Sequence, residues 1–162
     1  MYKNKKIVAI IPAYNEEKKI GRLLGKIPKD LFDLVVVIND GSTDNTLQEI
    51  EDVQRKHQLN IYTISLQKNS GLGIAFKEAF AYVKTLNYDI GIIMGGDDQD
   101  NPAEAYQFVH EIVDNGYEIV QGSRYLGMTK QIPLFRLFTT NMYSTFFSLV
   151  AGKKITDAST GY

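Results

Sequence analysis

The sequence predicts an α/β fold, a mostly parallel central sheet with helices on both faces. Three observations carry this. Apolar runs of strand length recur along the chain, stretches with helical spacing separate them, and polar loops rich in glycine and aspartate join each strand to the helix after it. At 162 residues and 18.3 kDa the chain is expected to be a single domain spanning 1–162, in which folding hides roughly 70% of the unfolded surface.

Lys6 to Ile11 (KIVAII) is an unbroken apolar run, as a strand covered on both faces requires, and Pro12 is expected to end it. The helix predicted next is capped near Asn15, carries Glu16 and Glu17 in its first turn, and aligns Ile20, Leu23, Leu24 and Ile27 until Pro28 stops it. Leu34 to Ile38 (LVVVI) is the second strand, followed by the loop Asn39 to Asp44 and a helix bearing Leu47, Ile50 and Val53. Asn60 to Leu66 reads as a weaker third strand. Lys68-Asn69-Ser70-Gly71 then leads into a helix through Ala75, Phe76, Ala79, Phe80, Val83 and Leu86. Ile90 to Met94 is the fourth strand, and its helix has the fullest start signal: Asn101 as cap, Pro102 at the first position and Glu104 three after the cap. Ala105, Phe108, Val109, Ile112 and Val113 line one face of it. Glu118 to Gly122 (EIVQG) is expected to be a fifth strand.

From Ile132 to Ala151 the chain reads as a helix rich in aromatic and apolar residues. Thr139, Thr140, Asn141, Ser144 and Thr145 interrupt it, so it is not read as a membrane span. The favoured reading is a core helix whose outer face is covered by chain beyond Tyr162. The other is an interfacial helix that makes peripheral membrane contact through 132–151.

In a parallel sheet every strand-to-helix loop emerges at the same edge. The loops Pro12 to Glu16, Asn39 to Asp44, Lys68 to Gly73, Gly95 to Asp100 and Ser123-Arg124 are therefore expected to converge. The balance of 18 basic to 19 acidic residues gives no bulk attraction to nucleic acid or anionic lipid, so an anion has to be captured locally. Neither a P-loop nor a complete dinucleotide fingerprint is present, because Phe76 stands where the third glycine belongs. Instead Glu16, Asp40, Asp44, Asp97, Asp98 and Asp100 together would repel a bare diphosphate. A phosphorylated ligand then needs a bridging cation, and Mg²⁺ or Mn²⁺ suits such oxygen donors. Each piece has a plainer reading: Asp97 to Asn101 as a solvated turn with capping carboxylates, and Asp40 to Asp44 as a turn and cap. His57 and His110 lie away from the strand-end loops and read as surface or packing residues. The absence of cysteine excludes disulfides and thiolate chemistry.

IVAIIPAYNEE, VVVINDGSTDNT, KNSGLGIAFKEAF, MGGDDQDNP, GSRYLG and ITDASTGY, in that order, resemble a family 2 glycosyltransferase of the GT-A fold, a Rossmann-like sandwich. The nearest subgroup is the dolichyl- or polyprenyl-phosphate mannosyl- and glucosyltransferases. The resemblance implies inverting transfer of a sugar from a UDP- or GDP-sugar with a divalent metal, Mg²⁺ or Mn²⁺. It assigns Pro12, Ala13, Tyr14, Glu16, Asp40, Gly71, Gly96 and Asp97 to the nucleotide, and Asp97 and Gln99, with Asp98 as a candidate, to the metal. Ser123 and Arg124 would meet the acceptor phosphate, with Lys130 and Arg136 as further cations; each has a plain surface charge as its alternative. Asp97, Arg124 and Asp157 are the expected catalytic residues, Asp157 serving as base if the acceptor is an alcohol.

Three departures from the family pattern stand out. Gly95 replaces the first aspartate of D-x-D, and Asn39 replaces the first of a pair of aspartates. The D-x-x-[ST]-G-[FY] segment ends the chain at Tyr162, so the catalytic domain is expected to be incomplete at its C-terminus. The expected location is the cytoplasm, at the membrane face where a lipid acceptor would be met. A transferase acting on a saccharide or protein hydroxyl, and a nucleotide-sugar binding domain without turnover, are the alternative functions.

Overall fold

The computed structural model describes residues 2–57, 59–122 and 134–152. The chain divides into two compact units, Met1–Glu118 and Ile119–Tyr162. In the first unit four strands form one all-parallel sheet: β1 (Ile7–Ala13), β2 (Leu34–Asn39), β3 (Ile61–Ser65) and β4 (Ile90–Ile93), in the spatial order β3-β2-β1-β4. Its helices are α1 (Ile20–Gly25), α2 (Thr46–His57), α3 (Leu72–Lys84) and α4 (Ala105–Asp114), the last entered through a 3-10 turn over Pro102–Glu104.

The two all-apolar runs sit side by side in the middle of the sheet, where both faces are covered. Val8, Ile10, Leu34, Val36 and Ile38 pack against Ala75 and Ala79, whose small side chains let α3 lie close to the strands. Ile7, Ala9, Ile11, Val35 and Val37 alternate to the opposite face and are equally buried. Each such valine or isoleucine contributes about 1.5–3 kcal/mol by leaving water. β3, an edge strand, is weaker in sequence because it is half solvated: Tyr62 is exposed and stacks on Tyr82 with ring centroids 4.0 Å apart.

Four expectations change. Pro12 does not end β1, which continues to Ala13 with Pro12 in register opposite Ile38. Its carbonyl accepts from Gly96 N at 3.1 Å, so its missing N–H faces the β4 side, past the last paired residue of β4. The first helix begins at Ile20, not near Asn15, which sits at φ 54° in the left-handed region. The amides of residues 15–17 are satisfied by side chains of the loop after β2 and of Thr46 at the start of α2, so the chain there has no need of a helical cap. The fifth strand is not formed: residues 118–122 carry no strand, and Ile119 is 87% exposed, leaving little burial to offset ordering the backbone. Finally, the fourth helix opens with that 3-10 turn, although Asn101 caps it as expected, its side chain accepting from Ala103 N at 3.2 Å.

In the second unit α5 (Leu134–Ala151) occupies most of the segment read as a helix, and residues 132–133 lie outside the described residues. Met142, Tyr143, Phe146, Phe147, Leu149 and Val150 are exposed on it. Among the described residues no helix is long and apolar enough to cross a membrane.

Candidate functional site

β1 leads to β2 on one side, whereas the chain leaving β3 crosses back to place β4 on the other side of β1. Ligands of open α/β sheets bind at such a switch point, beyond the carboxyl ends of the strands. A cavity of about 350 Å³ opens there. Pro12 and Ala13 line it from the end of β1, Tyr14 and Glu16 from the loop after β1, Asp40 from the loop after β2, Gly71 from the loop after β3, and Gly96 and Asp97 from the loop after β4. All eight residues expected around a nucleotide thus share one cavity. Asn69, Leu72, Ala75 and Gly95 complete the wall and were not singled out from the sequence. Ala75 reads there as helix packing and Gly95 only as a missing carboxylate. Asn69 lies in a loop expected to converge, but nothing in its type marks it.

The loop after β2 is tied down by its own side chains. Asp40, 5% exposed, accepts from Ser70 N at 2.8 Å with one carboxylate oxygen and from Gly71 N at 2.9 Å with the other, which fixes the start of α3. Gly41 is at φ +65°, and a Cβ there would lie 2.3 Å from the Lys68 carbonyl carbon, so only glycine fits where the two loops meet. The loop after β1 interlocks with the same segment. Asn15 N donates to Ser42 Oγ at 3.0 Å, Glu16 N to Thr46 Oγ1 at 2.8 Å and Glu17 N to Asp44 Oδ2 at 3.2 Å. In return Thr43 N donates to Asn15 Oδ1 at 2.9 Å and Asn45 N to Glu17 Oε2 at 3.0 Å. Burial alone would raise the Asp44 carboxyl, but the Thr46 hydroxyl at 2.5 Å and the amides of Thr46 and Glu17 outweigh it and hold it below the usual range.

The loop after β4 is built differently. Gly96 lies so close to β1 that a Cβ would meet Pro12 O at 2.7 Å. Gly95 N donates to Asp100 Oδ2 at 3.0 Å, folding that carboxylate back onto the loop. Asp97 Oδ1 accepts from Gln99 N at 3.2 Å, and its Oδ2 has no hydrogen bond among the described residues. Glu16 Oε2 lies 2.9 Å from Lys19 Nζ in an ion pair, yet it has no aligned hydrogen bond and is shielded from solvent. Glu16 first, and Asp97 more weakly, hold the Lys19 ammonium above its ordinary pKa.

Asp98, expected among the metal ligands, is engaged elsewhere. Its oxygens meet Lys26 Nζ at 2.7 Å and Arg22 Nε at 3.2 Å, both from the α1 segment. Gln99 is exposed and does not line the cavity. Among the described residues no three carboxylate or imidazole groups gather to hold a cation by themselves. Asp97 nevertheless offers an open carboxylate oxygen at the cavity wall. A small hard dication is commonly held by one or two carboxylates together with substrate phosphates and water. The donor set therefore fits an ion that arrives with a diphosphate better than one caged by the protein alone. Ser123, Arg124, Lys130 and Asp157 lie outside the described residues, as does the side chain of Arg136 in α5. His57 and His110 are absent from the cavity; His110 pairs with Asp114 at 2.7 Å on α4.

The family model described as Glycosyl transferase family 2 matches residues 8–160. The chain is 35% identical over 144 residues to an uncharacterized protein of Methanocaldococcus jannaschii, covering 88% of this chain and 61% of that protein. It is 28% identical over 171 residues to the UDP-N-acetylglucosamine–dolichyl-phosphate N-acetylglucosaminyltransferase of Methanococcus voltae, covering 98% of this chain and 68% of that protein. Among solved structures, S. aureus TarS 1–349 superposes with a TM-score of 0.58 at 28% identity, over 79% of this chain and 38% of that one. The chain thus spans about three fifths to two thirds of these two relatives.

Proposed function

The chain belongs to glycosyl transferase family 2 and has the GT-A fold, and from that premise we propose that it moves a sugar from a UDP- or GDP-sugar to a polyprenyl or dolichyl phosphate with inversion at the anomeric carbon. The observation that carries this reading is the gathering of the eight expected donor-side residues, drawn from the end of β1 and from the loops after all four strands, into one cavity at the switch point of the sheet.

In this reading Pro12, Ala13 and Tyr14 border the base and ribose, and Asp40 holds the β3–α3 loop through Ser70 N and Gly71 N so that Asn69 and Gly71 face the nucleoside. The carboxylates of Glu16, Asp40 and Asp97 make the wall hostile to a bare diphosphate. Mg²⁺ or Mn²⁺, held on the protein side by Asp97, would supply the positive charge that stabilises the diphosphate as it leaves. The acceptor reading is supported by the name of the Methanococcus relative, a dolichyl-phosphate N-acetylglucosaminyltransferase. A phosphate monoester is largely anionic at pH 7, since its second pKa is near 6. It needs no strong base, in keeping with a cavity wall that has no histidine. Ser123, Arg124, Lys130 and Arg136 are the groups proposed to meet that phosphate, and Asp157 the base should the acceptor be an alcohol.

The test is calorimetric titration of the chain with UDP and GDP in the presence of Mn²⁺, followed by sugar-transfer assays of the full-length protein with polyprenyl phosphate and with saccharides. Nucleotide binding that disappears with a chelator, and transfer to polyprenyl phosphate only, is the expected result. Affinity untouched by chelation overturns the metal assignment, and transfer to saccharides alone overturns the acceptor. A second reading, a nucleotide-sugar binding domain without turnover, is favoured by Gly95 in place of a carboxylate; binding without turnover in the full-length protein would establish it.

A further inference from the structure

Of the two acidic residues of the β4 loop that the donor site does not use, Asp100 is folded onto Gly95 N, whereas Asp98 has unusual surroundings. It sits at φ 60°, in the left-handed region that side chains other than glycine, asparagine and aspartate rarely adopt. Its carboxylate is only 10% exposed, yet the two cations on it, Arg22 and Lys26, are 63% and 55% exposed. These two are spaced i, i+4, so both reach Asp98 from the same side of the α1 segment. α1 itself continues from the loop that supplies Tyr14 and Glu16 to the cavity, while Asp98 follows directly on Asp97. The two ion pairs therefore join the β1-side wall of the cavity to the β4-side wall. They act beside the backbone bond from Gly96 N to Pro12 O, which joins the same two walls.

We propose that Asp98 is a positioning residue of the donor site: clamped by Arg22 and Lys26, it sets the separation of the two walls and holds Asp97 at the cavity. This rests on the donor reading above. Asp98 touches neither nucleotide nor metal ion in this arrangement and acts through Asp97, which has one oxygen held by Gln99 N and relies on the loop for its place.

The discriminating variant is Asp98→Gly. Glycine relieves the left-handed backbone while removing the carboxylate, so stability and positioning are driven in opposite directions. The expected result is a thermal unfolding midpoint equal to or above that of the parent chain, together with a loss of about tenfold in affinity for UDP or GDP titrated with Mn²⁺, the size typical of removing an outer-shell partner. An Arg22→Met, Lys26→Met variant should lose affinity to the same degree, and combining it with Asp98→Gly should cost nothing more, because both changes break one linkage. Parent-like affinity in Asp98→Gly, or fully additive losses in the combined variant, overturns the positioning role while leaving the donor reading intact. Failure of the parent chain to bind either nucleotide overturns the donor reading, and the role of Asp98 falls with it.

Discussion

The loop after β2 and the loop after β4 have similar compositions, Asn-Asp-Gly-Ser-Thr-Asp against Gly-Gly-Asp-Asp-Gln-Asp, and they meet the same cavity. In the first, every carboxylate is turned on neutral donors of the chain itself: Asp40 on two backbone amides, Asp44 on two amides and a hydroxyl. In the second, Asp100 also accepts from a backbone amide, but Asp98 meets cations and Asp97 keeps an oxygen open. The difference teaches that an acidic loop is not in itself a ligand site. What matters is which carboxylates the fold has already satisfied, and here that leaves the β2 loop as framework and the β4 loop as the reactive edge.

If that division is right, damage to the β2 loop should appear first as lost stability. Gly41→Ala places a methyl against the Lys68 backbone at a left-handed position. Adding about 1–2 kcal/mol for the conformation to the cost of overpacking gives about 3 kcal/mol, read from urea unfolding. Asp40→Asn is next. One of the two amides that Asp40 now serves would face an N–H₂ group in place of an acceptor, at a cost of about 2 kcal/mol. Either variant unfolding at the parent midpoint would break the comparison from the framework side.

From the other side, Asp97→Asn should leave the unfolding midpoint unchanged, because Asn can still accept from Gln99 N. It should weaken Mn²⁺-dependent nucleotide binding by about tenfold, or roughly 1.4 kcal/mol. Loss of stability without loss of affinity would assign Asp97 to the framework.

The sequence makes the framework legible and leaves the reactive edge half hidden, for physical reasons. β1 and β2 announce themselves because burial on both faces demands unbroken apolar runs, and convergence of the loops follows from parallel connections alone. What the pattern could not convey is pairing across long separations. Residues 15–17 look like a helix start because Asn, Glu and Glu favour one, but their amides are taken by Ser42, Thr46 and Asp44, 27 to 30 residues later. Asp97 and Asp98 are chemically identical neighbours. Only the α1 segment, with Arg22 and Lys26 at the right height, separates the ligand candidate from the ion-paired residue. The 118–122 segment has strand-like residues, but its local composition cannot say whether a ladder forms on it.

The smallest effect sharpens the contrast furthest, because it separates neutral from charged partners. The fold lowers the Asp44 carboxyl below its ordinary value, so it favours the ionised form. The resulting stabilisation is whole above the unfolded pKa of about 3.9 and fades as pH falls through that value toward the lower folded one. The stability difference between the parent and Asp44→Ala should therefore be flat from pH 7 to about pH 5 and shrink below about pH 4. Since its partners are a hydroxyl and amides, that difference should be nearly indifferent to salt. The difference between the parent and Lys26→Met rests on an ion pair whose cation is more than half exposed, and raising ionic strength from 0.05 to about 1 M, where the screening length drops to about 3 Å, should erase most of it. Equal salt dependence at the two sites would mean that both loops are held by the same kind of force, and the division into framework and reactive edge would lose its physical basis.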